Sequence, residues 1–137
     1  MNPSLSHLIT RFFISYLASE RGASENTVGA YSDSLRLLIK HLCKKHNKQP
    51  EKLSMEMLGP EAILDFLDYL EHDRNNSPAT RNQRLAAIKS FLHYAARENP
   101  ELMLPNERIQ AIRSKKTDHK PPPSLAVEQV QAILAAI

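Results

Sequence analysis

Ser24-Glu25-Asn26-Thr27 and Ser77-Pro78-Ala79-Thr80 share one layout, and each stretch opens a long run of apolar residues at helical spacing. In both, a serine precedes a threonine by three residues. Serine is a favoured N-cap because its side-chain oxygen accepts a hydrogen bond from a backbone N–H of the first turn. Helix starts also leave backbone N–H groups without intrahelical partners, and the helix dipole favours an anion there. The repeated layout therefore predicts two helices whose N-termini suit phosphate oxygens.

Further helices are predicted around these two. Apolar residues recur at steps of three and four over residues 4–20, 24–45, 57–73 and 77–98. Gly22 follows the first stretch in a position that suits a left-handed C-cap. No segment alternates polar and apolar residues as a strand does, and the chain contains only three glycines. The sequence therefore predicts an all-α fold, with a short additional helix at about 106–114.

Positive charge is concentrated in the second half of the chain. The 137 residues carry a formal net charge of +3. Residues 77–120 contain nine basic and four acidic side chains, whereas residues 1–76 contain nine basic and ten acidic ones. This asymmetry is typical of a nucleic-acid-binding surface, and a net charge this small is equally compatible with an ordinary solvated surface.

The third helical pattern has an acidic outer side. Its charged residues are Glu61, Asp65, Asp68, Glu71 and Asp73. Two interpretations stay open: a solvated face, or a surface that points away from DNA or towards a basic patch on a neighbour.

The residues expected of a catalytic or metal site do not occur together. Cys43 is the only cysteine, so no intrachain disulfide can form, and a reducing cytoplasm fits. The six histidines lack metal-ligand spacing, and no glycine-rich phosphate loop is present. The four tyrosines lie within or beside apolar stripes, which indicates core packing. We therefore expect no metal, no cofactor and no catalytic residue in this chain.

No membrane partner is expected either. The apolar run at 12–14 is short and follows Arg11, unlike a signal peptide. No segment approaches the roughly 20 apolar residues that a transmembrane helix needs.

Three segments are predicted along the chain. Residues 1–112 form a helical domain. Residues 113–123 form a basic, proline-rich linker, which we expect to be mobile without DNA because its cations repel one another and three prolines preclude a helix. Residues 124–137 start a new helical pattern, interpreted as the truncated first helix of a further domain.

The order of these motifs resembles a known family. Ser24-x-x-Thr27-x-x-x-Tyr31, an acidic third helix and Ser77-x-x-Thr80-x-Asn82-x-Arg84-Leu85 are together similar to the N-terminal, SAM-like core-binding domain of tyrosine recombinases of the phage-integrase type. The resemblance covers about residues 4–116. Residues 125–137 also resemble the opening of that family's catalytic domain.

The resemblance implies a four-to-five helix orthogonal bundle of two crossed hairpins. It also implies that the second and fourth helices face the major groove of double-stranded DNA. The family's catalytic residues lie in the second domain, so this chain is expected not to cleave DNA, and the parent enzyme is expected to oligomerise on DNA.

Candidate DNA-binding residues follow from the resemblance together with the charge pattern. They are Thr27, Thr80, Arg81, Asn82, Gln83, Arg84, Lys89, Lys115 and Lys116. On a helical wheel, Asn82 and Lys89 lie opposite the apolar arc, so alanine at either position is expected to weaken DNA binding without unfolding the domain. Arg84 lies near the edge of that arc and either contacts DNA or packs with its charged end in solvent.

Two other functions remain open from the sequence. One is a helical protein-interaction module whose basic face meets an acidic partner. The other is a small transcriptional regulator, although the long gap between the two hairpins argues against it.

Overall fold

The computed structural model of this protein describes residues 4–116, which form helices joined by short connections. The long helices are α1 (Leu5–Arg11), its π-helical continuation (Phe12–Glu20), α2 (Glu25–His46), α3 (Pro60–His72), α4 (Pro78–Glu98) and α5 (Met103–Gln110). Short 3₁₀ turns occur at Pro50–Lys52, Met55–Met57 and Pro100–Leu102. The predicted segments beyond residue 116 lie outside the described residues.

Both predicted helix starts are confirmed. Ser24 Oγ accepts a hydrogen bond from the Thr27 N–H at 3.2 Å, and Ser77 Oγ accepts one from the Thr80 N–H at 3.2 Å. Each serine hydroxyl also donates to the hydroxyl oxygen of its threonine, at 3.0 and 3.2 Å. Gly22 has a φ of +60°, the left-handed conformation expected for the residue that ends the first helix.

One apolar core joins all the helices, and the all-α fold class is confirmed. α2 packs along α4, and α3 and α5 pack against α4 as well. The largest fully buried side chains are Phe12, Phe66, Phe91, Leu5, Leu17, Leu35, Leu38, Leu42, Leu53, Ile63, Leu67 and Leu70. In residues 4–116 the only strand-like pairing is an isolated bridge between Ser4 and Ser54. No helix of this region has the length and apolar character needed to cross a bilayer.

The tyrosines pack in the core to different depths. Tyr94 is buried, whereas Tyr31 is half-buried and its hydroxyl lies 3.5 Å from an Arg21 guanidinium nitrogen. Core packing is therefore confirmed for Tyr94, and Tyr31 packs against the core from its edge with its hydroxyl beside Arg21.

A charged contact joins α2 to α3. Asp65 Oδ2 lies 2.9 Å from His41 Nε2 and 3.1 Å from Lys45 Nζ. Hydrogen bonds from His41 and Lys45 lower the pKa of the Asp65 carboxyl. A lowered folded-state pKa adds stability that is present above the ordinary carboxyl pKa and is lost as the pH falls through the folded value.

We therefore expect the stability of an Asp65→Asn variant to depend less on pH in the acidic range than that of the wild type. The difference should stay below about 1 kcal/mol, because the Asp65 side chain is half exposed. Urea unfolding over an acidic pH series measures it. Asp68→Asn is the matched control on the same helix, and equal pH dependence of all three proteins would contradict the prediction.

Candidate nucleic-acid interface

The N-terminal halves of α2 and α4 border an open groove of about 570 Å³, called here the N-terminal groove. Its lining residues are Arg21, Asn26, Thr27, Ala30, Tyr31, Asp33, Ser34, Thr80, Gln83, Arg84 and Ala86. Packing of α2 along α4 brings the two capped helix starts to the same groove. Four of the predicted site residues, Thr27, Thr80, Gln83 and Arg84, therefore share one surface.

The groove carries more positive than negative charge, with Arg21 and Arg84 against Asp33. The helix dipoles make both N-termini partially positive. Thr27 and Thr80 each accept a hydrogen bond from a capping serine, which leaves each threonine hydroxyl with a proton to donate. Ala30 and Ala86 are exposed and small, so a ligand can approach the helix backbones closely.

Arg84 bridges the two helices while keeping its charge at the groove. Its Nε donates to Asn76 Oδ1 at 3.3 Å, and its Nη1 lies 3.5 Å from Ser34 Oγ. No carboxylate within residues 4–116 pairs with it. Arg84 is therefore half-buried and hydrogen-bonded to α2, and its contact with DNA stays a prediction.

Sequence reasoning missed Arg21 as a groove residue. Its guanidinium carbon lies 5.9 Å from the centroid of the Tyr31 ring, and the Tyr31 hydroxyl raises the pKa of Arg21. Arg21 lies between two helices, so neither helical pattern includes it, and only the folded chain brings it to the groove. No local signal in the sequence indicates this position.

Lys40 and Lys44 of α2 are not among the candidate DNA-binding residues predicted from the sequence, although their spacing along the helix could have indicated them. Lys40 and Lys44 are exposed and make no ion pair in the described part of the chain. They lie 14 and 18 residues after Asn26, and such spacings keep side chains on one helix face. At 1.5 Å per residue, the stripe from Asn26 to Lys44 is about 27 Å long.

Arg81, Asn82 and Lys89 lie on another flank of α4 and contact residues 112–116, called here the arm. Arg81 Nη1 donates to the Arg113 carbonyl at 3.1 Å, and Lys89 Nζ donates to the Ile112 carbonyl. Asn82 Nδ2 donates to the Lys115 carbonyl at 2.8 Å. Asn82 and Lys89 do lie off the main apolar arc, as the helical wheel predicts, but the arm covers their side of α4.

The arm contains the first residues of the predicted linker. Arg113 and Lys115 are hydrogen-bonded to α4 through their backbone atoms, and the mobility of the linker stays a prediction. Lys115 Nζ lies 2.8 Å from a Glu71 carboxylate oxygen, so that lysine is paired within the domain. Lys116 is exposed and makes no ion pair in residues 4–116.

No metal site is seen in the described region. Across residues 4–116, no three His, Cys, Asp or Glu side chains come together as metal ligands would.

Comparison with known protein families identifies a match that covers the groove and both of its helix starts. Residues 10–99 match the model of the phage integrase N-terminal SAM-like domain. The chain belongs to this family. The sequence resemblance is thereby confirmed for two-thirds of the chain, including both helix starts and the whole N-terminal groove.

Curated relatives are integrases and tyrosine recombinases. The chain is 37% identical over 132 residues to a Sinorhizobium fredii protein named as an integrase/recombinase, y4rD, covering 96% of the chain and 47% of y4rD. It is 35% identical to the tyrosine recombinase XerC of Myxococcus xanthus, covering 96% of the chain and 40% of XerC. It is 29% identical to XerD of Oceanobacillus iheyensis, covering 95% of the chain and 41% of XerD. The chain thus spans less than half the length of these relatives, and no solved structure gives a significant match.

Proposed function

We propose that this domain binds duplex DNA through the N-terminal groove and the outer stripe of α2, and that it serves as the DNA-binding part of a tyrosine recombinase. The observation that carries the proposal is the groove itself. Two capped helix N-termini lie there beside the guanidinium groups of Arg21 and Arg84, and together they offer both fixed dipoles and full charges to phosphates.

The dimensions of this surface suit a duplex. The major groove is about 12 Å wide and admits an α-helix. The stripe on α2 ends in Lys40 and Lys44, which are placed to meet phosphates, while Asn26 and Gln83 present amide groups. Asparagine and glutamine amides can make paired hydrogen bonds to adenine in the major groove. We therefore propose that Lys40 and Lys44 position the domain on the phosphates, and that the amides of Asn26 and Gln83 contact the bases.

The part played in recombination is proposed from the relatives. Their names indicate integration and recombination. The N-terminal groove offers groups suited to phosphates, and the chain spans less than half the length of these relatives. We therefore propose that this domain selects and holds the DNA site while a further domain carries the strand cleavage.

A salt titration tests DNA binding. If about 4–6 phosphates are neutralised, log K for a short duplex should fall with log salt at a slope of about −4 to −5. Fluorescence anisotropy at several salt concentrations measures the slope. A Lys40→Gln and Lys44→Gln double variant should flatten it by roughly two units. A slope near zero for the wild type would contradict the proposal.

A further inference from the structure

The arm is held by hydrogen bonds to its backbone, by packing of Ile112 against the core and by the ion pair between Lys115 and Glu71. Asn82 makes a reciprocal pair with Lys115: its Nδ2 donates to the Lys115 carbonyl at 2.8 Å, and its Oδ1 accepts from the Lys115 N–H at 2.9 Å. Arg81 and Lys89 donate to the carbonyls of Arg113 and Ile112. Because these bonds use main-chain atoms at three positions of the arm, they fix the path of its backbone along α4. Glu71, Arg81, Asn82 and Lys89 are called here the clasp.

Positive charge exceeds negative charge around the clasp. Glu71 is the one carboxylate that pairs there among the described residues, and its oxygens lie 2.8 Å from Lys115 Nζ and 3.5 Å from Arg81 Nε. The hydrogen bond from Lys115 lowers the pKa of Glu71. Burial, followed by the nearby Arg81 charge, lowers the pKa of Lys89. Glu71 alone therefore leaves a net positive charge on the clasp and the arm, which favours the approach of an anion.

The arm lies beside the same ridge of α4 that borders the N-terminal groove. At about 100° per residue, Arg84 lies on one side of Gln83, and Asn82 and Lys89 lie on the other. Gln83 and Ala86 are exposed between these two flanks. A duplex seated on this ridge would meet the groove on one side and the cations of the arm on the other.

We propose that the clasp positions the arm so that Lys115 and Lys116 bind DNA phosphates, and that Glu71 holds Lys115 until a phosphate competes for it. This inference rests on the proposed function. In this assignment Asn82 is a positioning residue: it acts on DNA through the two lysines of the arm and does not contact DNA itself. Because Glu71 pairs with Lys115, it reduces the number of arm lysines that are free to bind phosphates.

Amide exchange tests the clasp without DNA. The Lys115 N–H donates to Asn82 Oδ1, so it should exchange slowly in the wild-type chain. We expect Asn82→Ala to speed its exchange by about tenfold or more, and Gln83→Ala, the adjacent exposed control, to leave it unchanged. Fast exchange of this amide in the wild type would overturn the clasp whatever the result with DNA.

Removal of the Glu71 charge tests the competition. Glu71→Gln keeps the size of the side chain and a hydrogen-bonding oxygen. It should strengthen duplex binding about three- to tenfold and steepen the salt slope by about one unit, since one more phosphate is neutralised. Glu61→Gln removes the same charge from the first turn of α3, at a residue that makes no ion pair within residues 4–116, and should leave the slope unchanged. Equal slopes for Glu71→Gln and Glu61→Gln would refute the role of Glu71.

A double-variant cycle separates positioning by Asn82 from direct contact. Asn82→Ala should weaken DNA binding in the wild-type background but have no further effect when Lys115 and Lys116 are both glutamine. A full effect of Asn82→Ala in that background would show that Asn82 contacts DNA and would overturn the proposal. Failure of the wild-type chain to bind duplex DNA would instead refute the proposed function, while the exchange of the Lys115 amide would still report on the clasp.

Discussion

Phe12→Ala is expected to lower the free energy of unfolding by about 3–5 kcal/mol. Phe12 is fully buried where the π-helical segment, α2 and α4 meet. Its ring centroid lies 5.4–6.3 Å from those of five other aromatic rings, Phe13, Tyr16, Tyr31, Phe91 and Tyr94. Truncation would leave a cavity that these rings cannot fill, because they belong to several helices that are fixed by other contacts. Urea unfolding followed by circular dichroism measures the loss.

The control for this substitution lies two residues along the chain. Ile14 is 63% exposed, so Ile14→Ala should change the free energy of unfolding by less than about 0.5 kcal/mol. A loss below about 1 kcal/mol for Phe12→Ala would mean that the aromatic cluster relaxes around the missing ring and is not a rigid part of the core.

Ala30→Glu is expected to weaken duplex binding about tenfold or more at moderate salt, which corresponds to roughly 1.4 kcal/mol. Ala30 is exposed on α2 and lines the N-terminal groove. A carboxylate there repels phosphates and pairs with the cations of the groove, so both effects oppose DNA binding. Glutamate is a good helix former, so the fold should be retained. Anisotropy titration with a duplex and a thermal melt measure the two properties.

Ala18→Glu provides the matched change of charge. Ala18 is exposed in the π-helical segment and does not line the N-terminal groove. The Ala18→Glu substitution should therefore weaken duplex binding far less than Ala30→Glu does. Equal losses for the two variants would mean that affinity follows net charge alone, and the groove would then lose its assignment.

The local pattern of the sequence already determined the helices and the faces that they bury. Ser24 and Ser77 cap their helices as predicted, and Gly22 ends the first helix in the left-handed conformation. These features depend on hydrogen bonds within three or four residues and on side-chain periodicity, so they can be recognised without knowledge of the fold. The same local chemistry also predicts that both helix starts bind phosphate, and this stays a prediction.

Tertiary structure alone decided which polar residues share a surface. Arg21 joins the N-terminal groove because its guanidinium group lies over the Tyr31 ring of α2, and Arg84 reaches Ser34 across 50 residues of sequence. Asn82 lies on the polar arc that the sequence predicts, yet the arm, 33 residues away, takes up its hydrogen bonds. A helical wheel describes one helix in isolation and contains no information on which distant segment covers each face. The core faces could therefore be predicted from periodicity, whereas the division of polar residues between the groove and the clasp depends on contacts that exist only in the folded chain.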